Sequence, residues 1–164
     1  MEINYNHHGK WSVDAVKQRY ANLRIVLGGA EGFELEPRIY TNKGGMTWVY
    51  NIMDAVVDGV RLGDHACVEL AIDYIEDNLM DSTTGYIRER MARALRRAEL
   101  TEHQKKQLAT TFLKQLEQAT LHKEFKKYCR LFKTIGVAPY RARIEKCARS
   151  EKQYIRRAVQ RLLV

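Results

Sequence analysis

No stretch of this chain approaches the ~20 consecutive apolar residues that a membrane-spanning helix requires, and only two of its 164 residues are proline, Pro37 and Pro139. The first absence argues against a helical membrane protein, and the second leaves helices free to run without interruption. Cysteine is scarce and odd in number. Cys67, Cys129 and Cys147 form no CxxC pair, and each falls among apolar residues at helical spacing, so they read as reduced core thiols and not as a disulfide, a metal site or a nucleophile. The opening MEINYNHHGKW carries no apolar run behind a basic end; no signal peptide is expected, and a cytoplasmic location follows as the expectation. His7, His8, His65, His103 and His122 show no HExxH or other metal-ligand spacing, and the glycines at Gly28-Gly29, Gly32 and Gly44-Gly45 lack both the Lys-Ser/Thr of a Walker loop and a dinucleotide fingerprint. No cofactor, metal or catalytic set is therefore singled out.

What is present is charge, unevenly spread. The net charge of +8 divides into −6 over residues 1–85, with 7 Lys/Arg against 13 Asp/Glu, and +14 over residues 86–164, with 21 against 7. Such a split points to a polyanionic partner for the second half, an acidic protein, or the acidic half of a neighbouring copy. An apolar fraction of 45% with 29% charged residues belongs to an ordinary folded chain, of a length that one domain spanning 1–164 accounts for.

Apolar spacing predicts an all-α fold. Ser12 caps a helix with Val13, Val16, Tyr20, Leu23 and Leu27 inside, and Gly28-Gly29 stops it. Together with a loop-rich, irregular connection over 30–45, where Phe33, Leu35, Ile39 and Tyr40 pack down or form a short extended piece, this helix makes up an N-terminal segment 1–45. From Met46 to Val60, Val49, Ile52, Met53, Val56, Val57 and Val60 form one apolar stripe, with Asp54 and Asp58 outside it. The next helix, from about Asp64 to Leu79, turns an acidic side outward with Glu69, Asp73, Glu76 and Asp77. Carboxylates on one straight helix converge poorly on a cation, so this acidic face reads as solvated or as a partner surface. Asp81–Gly85 is a turn. Thr101–Gln104 and Ser150–Gln153 have the spacing of capping boxes.

Residues 46–164 form a helical-repeat region with hairpins at 64–98, 102–135 and 139–163. YIRERMARAL, Tyr86–Leu95, returns with five identities at Tyr154–Leu163, an offset of 68 residues. Half that step is also kept: Ile87, Leu121 and Ile155 correspond, as do Met91, Phe125 and Val159, and Arg93, Lys127 and Arg161. Equal steps that preserve both core and basic positions imply stacked hairpins, because one hairpin cannot bury its own face.

Over residues 46–164 the chain resembles the HEAT-like and armadillo-like repeat family. The resemblance rests on Ile87-Arg88 with Ala92 or Ala94 and Leu95, and on Ile155-Arg156-Arg157-Ala158 with Leu162, which are similar to the V-R-x-x-A-x-x-x-L of the family's second helix. It departs at Thr84 and Lys152, where the family often has aspartate, and at His122 in place of arginine. The resemblance implies a short α-α solenoid, a structural role for Arg88 and Arg156, and a concave side lined by second helices. On that side Arg93, Lys127 and Arg161 would form a basic ridge, widened by Arg90, Arg97, Lys123, Arg130 and Arg157. The leading expectation is a non-enzymatic binding or scaffold module for a macromolecular partner, held on the basic ridge or on the acidic face of Asp54, Asp58, Glu69, Asp73, Glu76 and Asp77. A protein partner comes first, a sequence-nonspecific nucleic-acid-binding protein is the alternative, and self-association of the two oppositely charged halves is a third possibility. The family also includes DNA glycosylases, so a DNA-repair enzyme built on this scaffold stays as a less favoured alternative: it needs a carboxylate beside aromatic residues in the groove, whereas Trp11 and Trp48 lie outside the three hairpins and no carboxylate can be assigned that role.

Overall fold

The computed structural model describes residues 1–80 and 84–164. The chain falls into two compact units, Met1–Ile75 and Glu76–Val164. Among the described residues it is mostly helical, with eight α-helices and one small sheet. The all-α expectation therefore holds for the bulk of the chain and needs correction at residues 1–49. Most of the expected turn at 81–85 lies outside the described residues.

In the first unit the strands β1 (Glu2–Asn4), β2 (Ile39–Thr41) and β3 (Thr47–Val49) form a sheet in the order β1-β3-β2. β1 runs parallel to β3 with Ile3 opposite Trp48, and β2 runs antiparallel to it with Tyr40 opposite Trp48. The helix expected over Met46–Val60 is thus shorter than its apolar stripe. Thr47-Trp48-Val49 is β-branched and aromatic, and the preceding Asn42–Gly45 turn folds it back onto β2. Asn42 Oδ1 accepts from the backbone N–H groups of Gly44 and Met46 at 2.9 and 3.0 Å, and Gly45 takes a positive φ of 79° that a side chain would resist. The helix itself, α2 (Ile52–Arg61), starts where the Asn51 side chain accepts from Met53 N–H at 2.9 Å.

α1 (Val13–Leu27) is capped by Ser12 and ends at Gly28 as the sequence indicates, but it buries only Val16 and Tyr20. α2 is enclosed on nearly every side, so Asp54, expected outside the stripe, is buried as well. Asp64 stands at the head of α3 (His65–Asp77) as a buried carboxylate with three donors. Its Oδ2 accepts from Tyr20 Oη at 2.6 Å and Ala30 N–H at 2.9 Å, and its Oδ1 accepts from Cys67 N–H at 2.9 Å. One side chain thereby ties α1, the irregular connection and α3 together.

The second unit contains α4 (Thr84–Leu95), α5 (Glu102–Gln118), α6 (Phe125–Ile135), α7 (Arg141–Cys147) and α8 (Gln153–Leu163). α6 lies against both α4 and α8, α5 lies against α7, and α5–α6 and α7–α8 pack as sequential pairs. The expected core positions Ile87, Met91, Leu108, Phe112, Leu116, Phe125, Tyr128, Phe132, Ile155, Val159 and Leu162 are buried. Phe112 stacks on Tyr128 with ring centroids 4.9 Å apart. Thr101 and Gln104 form the full capping box before α5. Ser150 does not form one: its hydroxyl accepts from Lys152 N–H, and α8 starts two residues too late for the box to close. α6 likewise begins at Phe125 and not at Leu121, after a turn in which the His122 carbonyl accepts from Phe125 N–H.

Candidate polyanion-binding face

On each of α4, α6 and α8 the apolar residues take one side and leave the basic ones, Arg88 excepted, on the other. The spacing 90, 93, 97 puts the half-buried Arg90 and the exposed Arg93 in a row on α4, continued by Arg97 in the turn that follows it. Lys123, Lys126, Arg130 and Lys133 form such a row on and just before α6, and Arg157 and Arg161 do so on α8. α6 lies against both neighbours, so its row is central.

The structure separates the residues of the expected ridge. Arg93 and Lys127 share one carboxylate, that of Glu89, at 2.7 and 3.7 Å. Arg90 is half-buried and already in contact with a neighbour. Arg161 belongs to a different cluster, a cleft of about 340 Å³ lined by Lys126, Cys129, Arg130, Lys133, Arg161 and Val164. Among the described residues no carboxylate lies within salt-bridge distance of Lys126, Arg130, Lys133 or Arg161. The thiol of Cys129 at the base registers them: burial pushes its pKa up to about 12, and the nearby Arg161 and Lys133 charges pull in the opposite direction. Lys126 and Lys133 were missed by the repeat comparison, which followed single positions at a 34-residue step. Their own spacing to Arg130, four before and three after, was the available signal.

Arg97, Lys123 and Arg157 are exposed and, like the cleft residues, have no ion-pair partner among the described residues. Arg88 and Arg156 do not belong to this face. Arg88 is buried, donates from Nε to Glu124 Oε1 at 2.8 Å, and also reaches the Leu79 carbonyl. Arg156 Nη1 donates to the Ser150 and Glu151 carbonyls at 2.6 and 2.8 Å. Each of these arginines thus ties down backbone that precedes its own helix.

A second cleft, of about 680 Å³, opens beside the first turn of α4, with Leu79, Met80, Tyr86, Leu121, His122 and Lys123 on its walls.

The acidic residues do not assemble into one free face. Asp54 is buried, Asp58 pairs with Arg61 at 3.5 Å and Arg38 at 3.7 Å, and Asp73 pairs with Arg19. Glu69 is half-buried with a neighbour of its own, and Glu76 and Asp77 belong to the second unit. Among the described residues no cluster of histidine, cysteine, aspartate and glutamate is arranged to hold a metal ion, and no helix is long and apolar enough to cross a membrane. The chain matches no protein-family profile, no curated protein and no solved structure.

Proposed function

We propose that residues 76–164 form a non-catalytic binding module that holds an anionic macromolecule against the outward faces of α4, α6 and α8. The observation that carries this reading is the cleft at Lys126, Arg130, Lys133 and Arg161, four cations around one concavity with no Asp or Glu side chain on its walls and, among the described residues, no ion pair to any of the four. Like charges gathered in this way repel one another, and an anion that bridges them relieves the repulsion while gaining several charge-assisted hydrogen bonds. Solvated surface charges are usually interspersed with the opposite sign, as Arg93 and Lys127 are with Glu89.

The same unit supports the finer architectural reading of a short stack of HEAT-like hairpins. In that arrangement α4, α6 and α8 are the second helices and α5 and α7 the first, consistent with their neighbour pairs. Arg88 and Arg156, at corresponding positions in the 68-residue step, both fix backbone ahead of their helices.

The test is a salt titration on the whole protein with a labelled DNA duplex, run beside a variant carrying Arg130→Glu, Lys133→Glu and Arg161→Glu. Four phosphate contacts predict a log–log slope of about −3.6 for duplex DNA. The variant should lose at least tenfold in affinity and keep its cooperative unfolding. Equal binding by the two proteins would place the function elsewhere.

A further inference from the structure

We propose that the anionic partner is a single-stranded nucleic acid and that Tyr86 is the platform on which one of its bases stacks. This rests on the reading of α4, α6 and α8 as a polyanion-binding face. Tyr86 lies in the first turn of α4 and is 73% exposed. No aromatic ring packs on it, and its hydroxyl bonds nothing among the described residues. A tyrosine left so open exposes a large flat apolar surface to water.

Its position adds the second half of the argument. Tyr86, Arg90, Arg93 and Arg97 are spaced by four, three and four residues, so the ring lies on the side of α4 that carries the half-buried Arg90 and the exposed Arg93, with Arg97 in the turn that follows the helix. The cleft beside it has Leu79, Met80, Leu121 and His122 on its walls, and also Lys123, just before α6, and two carboxylates that are already neutralised, Glu124 by Arg88 and Glu89 by Arg93 and Lys127. A recess with apolar and aromatic walls thus sits where two basic rows begin.

The occupant follows from its chemistry. In a duplex the base faces are stacked on one another and no side chain can lie flat on them, whereas a single strand offers a free face at every base. Stacking on an aromatic side chain combined with cations along the backbone is the general mode of single-strand binding. An acidic peptide would meet the charge but has no regularly repeated flat group for the ring.

Fluorescence anisotropy of the whole protein with a labelled 20-nucleotide oligo-dT, competed by inorganic polyphosphate, a DNA duplex or poly-glutamate, separates these cases. Tyr86→Ala should weaken oligo-dT binding about tenfold while leaving polyphosphate binding unchanged, and Tyr86→Phe, which keeps the ring, should bind like the unsubstituted protein. Unchanged oligo-dT affinity in Tyr86→Ala would overturn the stacking role while leaving the polyanion reading intact. Tighter binding of poly-glutamate than of oligo-dT would identify an acidic protein as the partner and overturn the proposal. Failure of all four probes to bind would remove the polyanion reading itself.

Discussion

Arg88 and Arg93 stand five residues apart in one arginine-rich stretch and have opposite fates. The Arg88 side chain is 2% exposed and that of Glu124 4%, and they meet at 2.8 Å through Nε and 2.6 Å through Nη2. Such a pair stabilises little relative to an apolar pair of the same size, because both charges must be stripped of water, but breaking it strands one charge in the interior. Arg88→Ala should therefore cost about 3–5 kcal/mol, read from urea unfolding. Arg88→Met combined with Glu124→Leu should recover most of that loss, and a double variant no more stable than Arg88→Ala would mean that the Leu79 carbonyl contact, and not the pair, carries the effect. The resemblance to helical repeats pointed to a structural role for Arg88. Its partner was not legible, because Glu124 lies 36 residues away and nothing in its local sequence marks it for burial. Lys126 and Lys133 were legible in principle from their spacing around Arg130.

At the level of elements, the helices were readable wherever a stripe of three or more apolar turns ran without competition. Thr101–Gln104 and Ser150–Gln153 carry the same capping spacing and only the first closes, so spacing marks where a helix is able to start and the surrounding turn decides whether it does. β3 was hidden for a different reason: Val49 fits the period of the α2 stripe, and only pairing with β1 and β2, from distant parts of the chain, makes Thr47–Val49 extended. The packing of α2 against α3 has an equally non-local signature in Gly59. A Cβ there would collide with Sγ of Cys67 and stand 2.9 Å from Cys67 Cβ and from Phe33 Cε1. Alanine in a helix interior ordinarily gains about 1 kcal/mol over glycine, but overpacking costs about 1–3 kcal/mol and should prevail. Gly59→Ala is expected to lower the urea midpoint, and adding Cys67→Ala should restore part of it. A Gly59→Ala variant more stable than the original would show that α2 and α3 separate freely.

For the whole molecule, the charge surplus and the buried thiols make opposing predictions about high pH, and their magnitudes decide between them. Approaching the sequence pI of about 9.5 removes net positive charge and relieves self-repulsion. Against this, burial raises the thiol pKa of Cys67 from 9.0, raises that of Cys129 to about 12, and raises the Tyr20 hydroxyl above its ordinary 10.0; Cys147, expected in the core, is only half-buried because the short α7 turns just Ile144 fully inward, and its thiol is raised as well. Between pH 9 and 12 the unfolded chain gives up a proton at position 129 that the native chain retains, so the unfolded state binds fewer protons and stability falls as pH rises. Each fully protected thiol contributes a loss of about 1.4 kcal/mol per pH unit inside its window. Cys67 and Cys129 together thus amount to roughly 2–3 kcal/mol at pH 10, more than relief of exposed, solvent-screened repulsion supplies. Urea midpoints should fall from pH 8 to pH 10, and Cys129→Ala, whatever its own stability at pH 8, should show about half the fall. A midpoint that rises over this interval would mean that the clustered lysines and arginines, and not the thiols, govern the stability of the molecule.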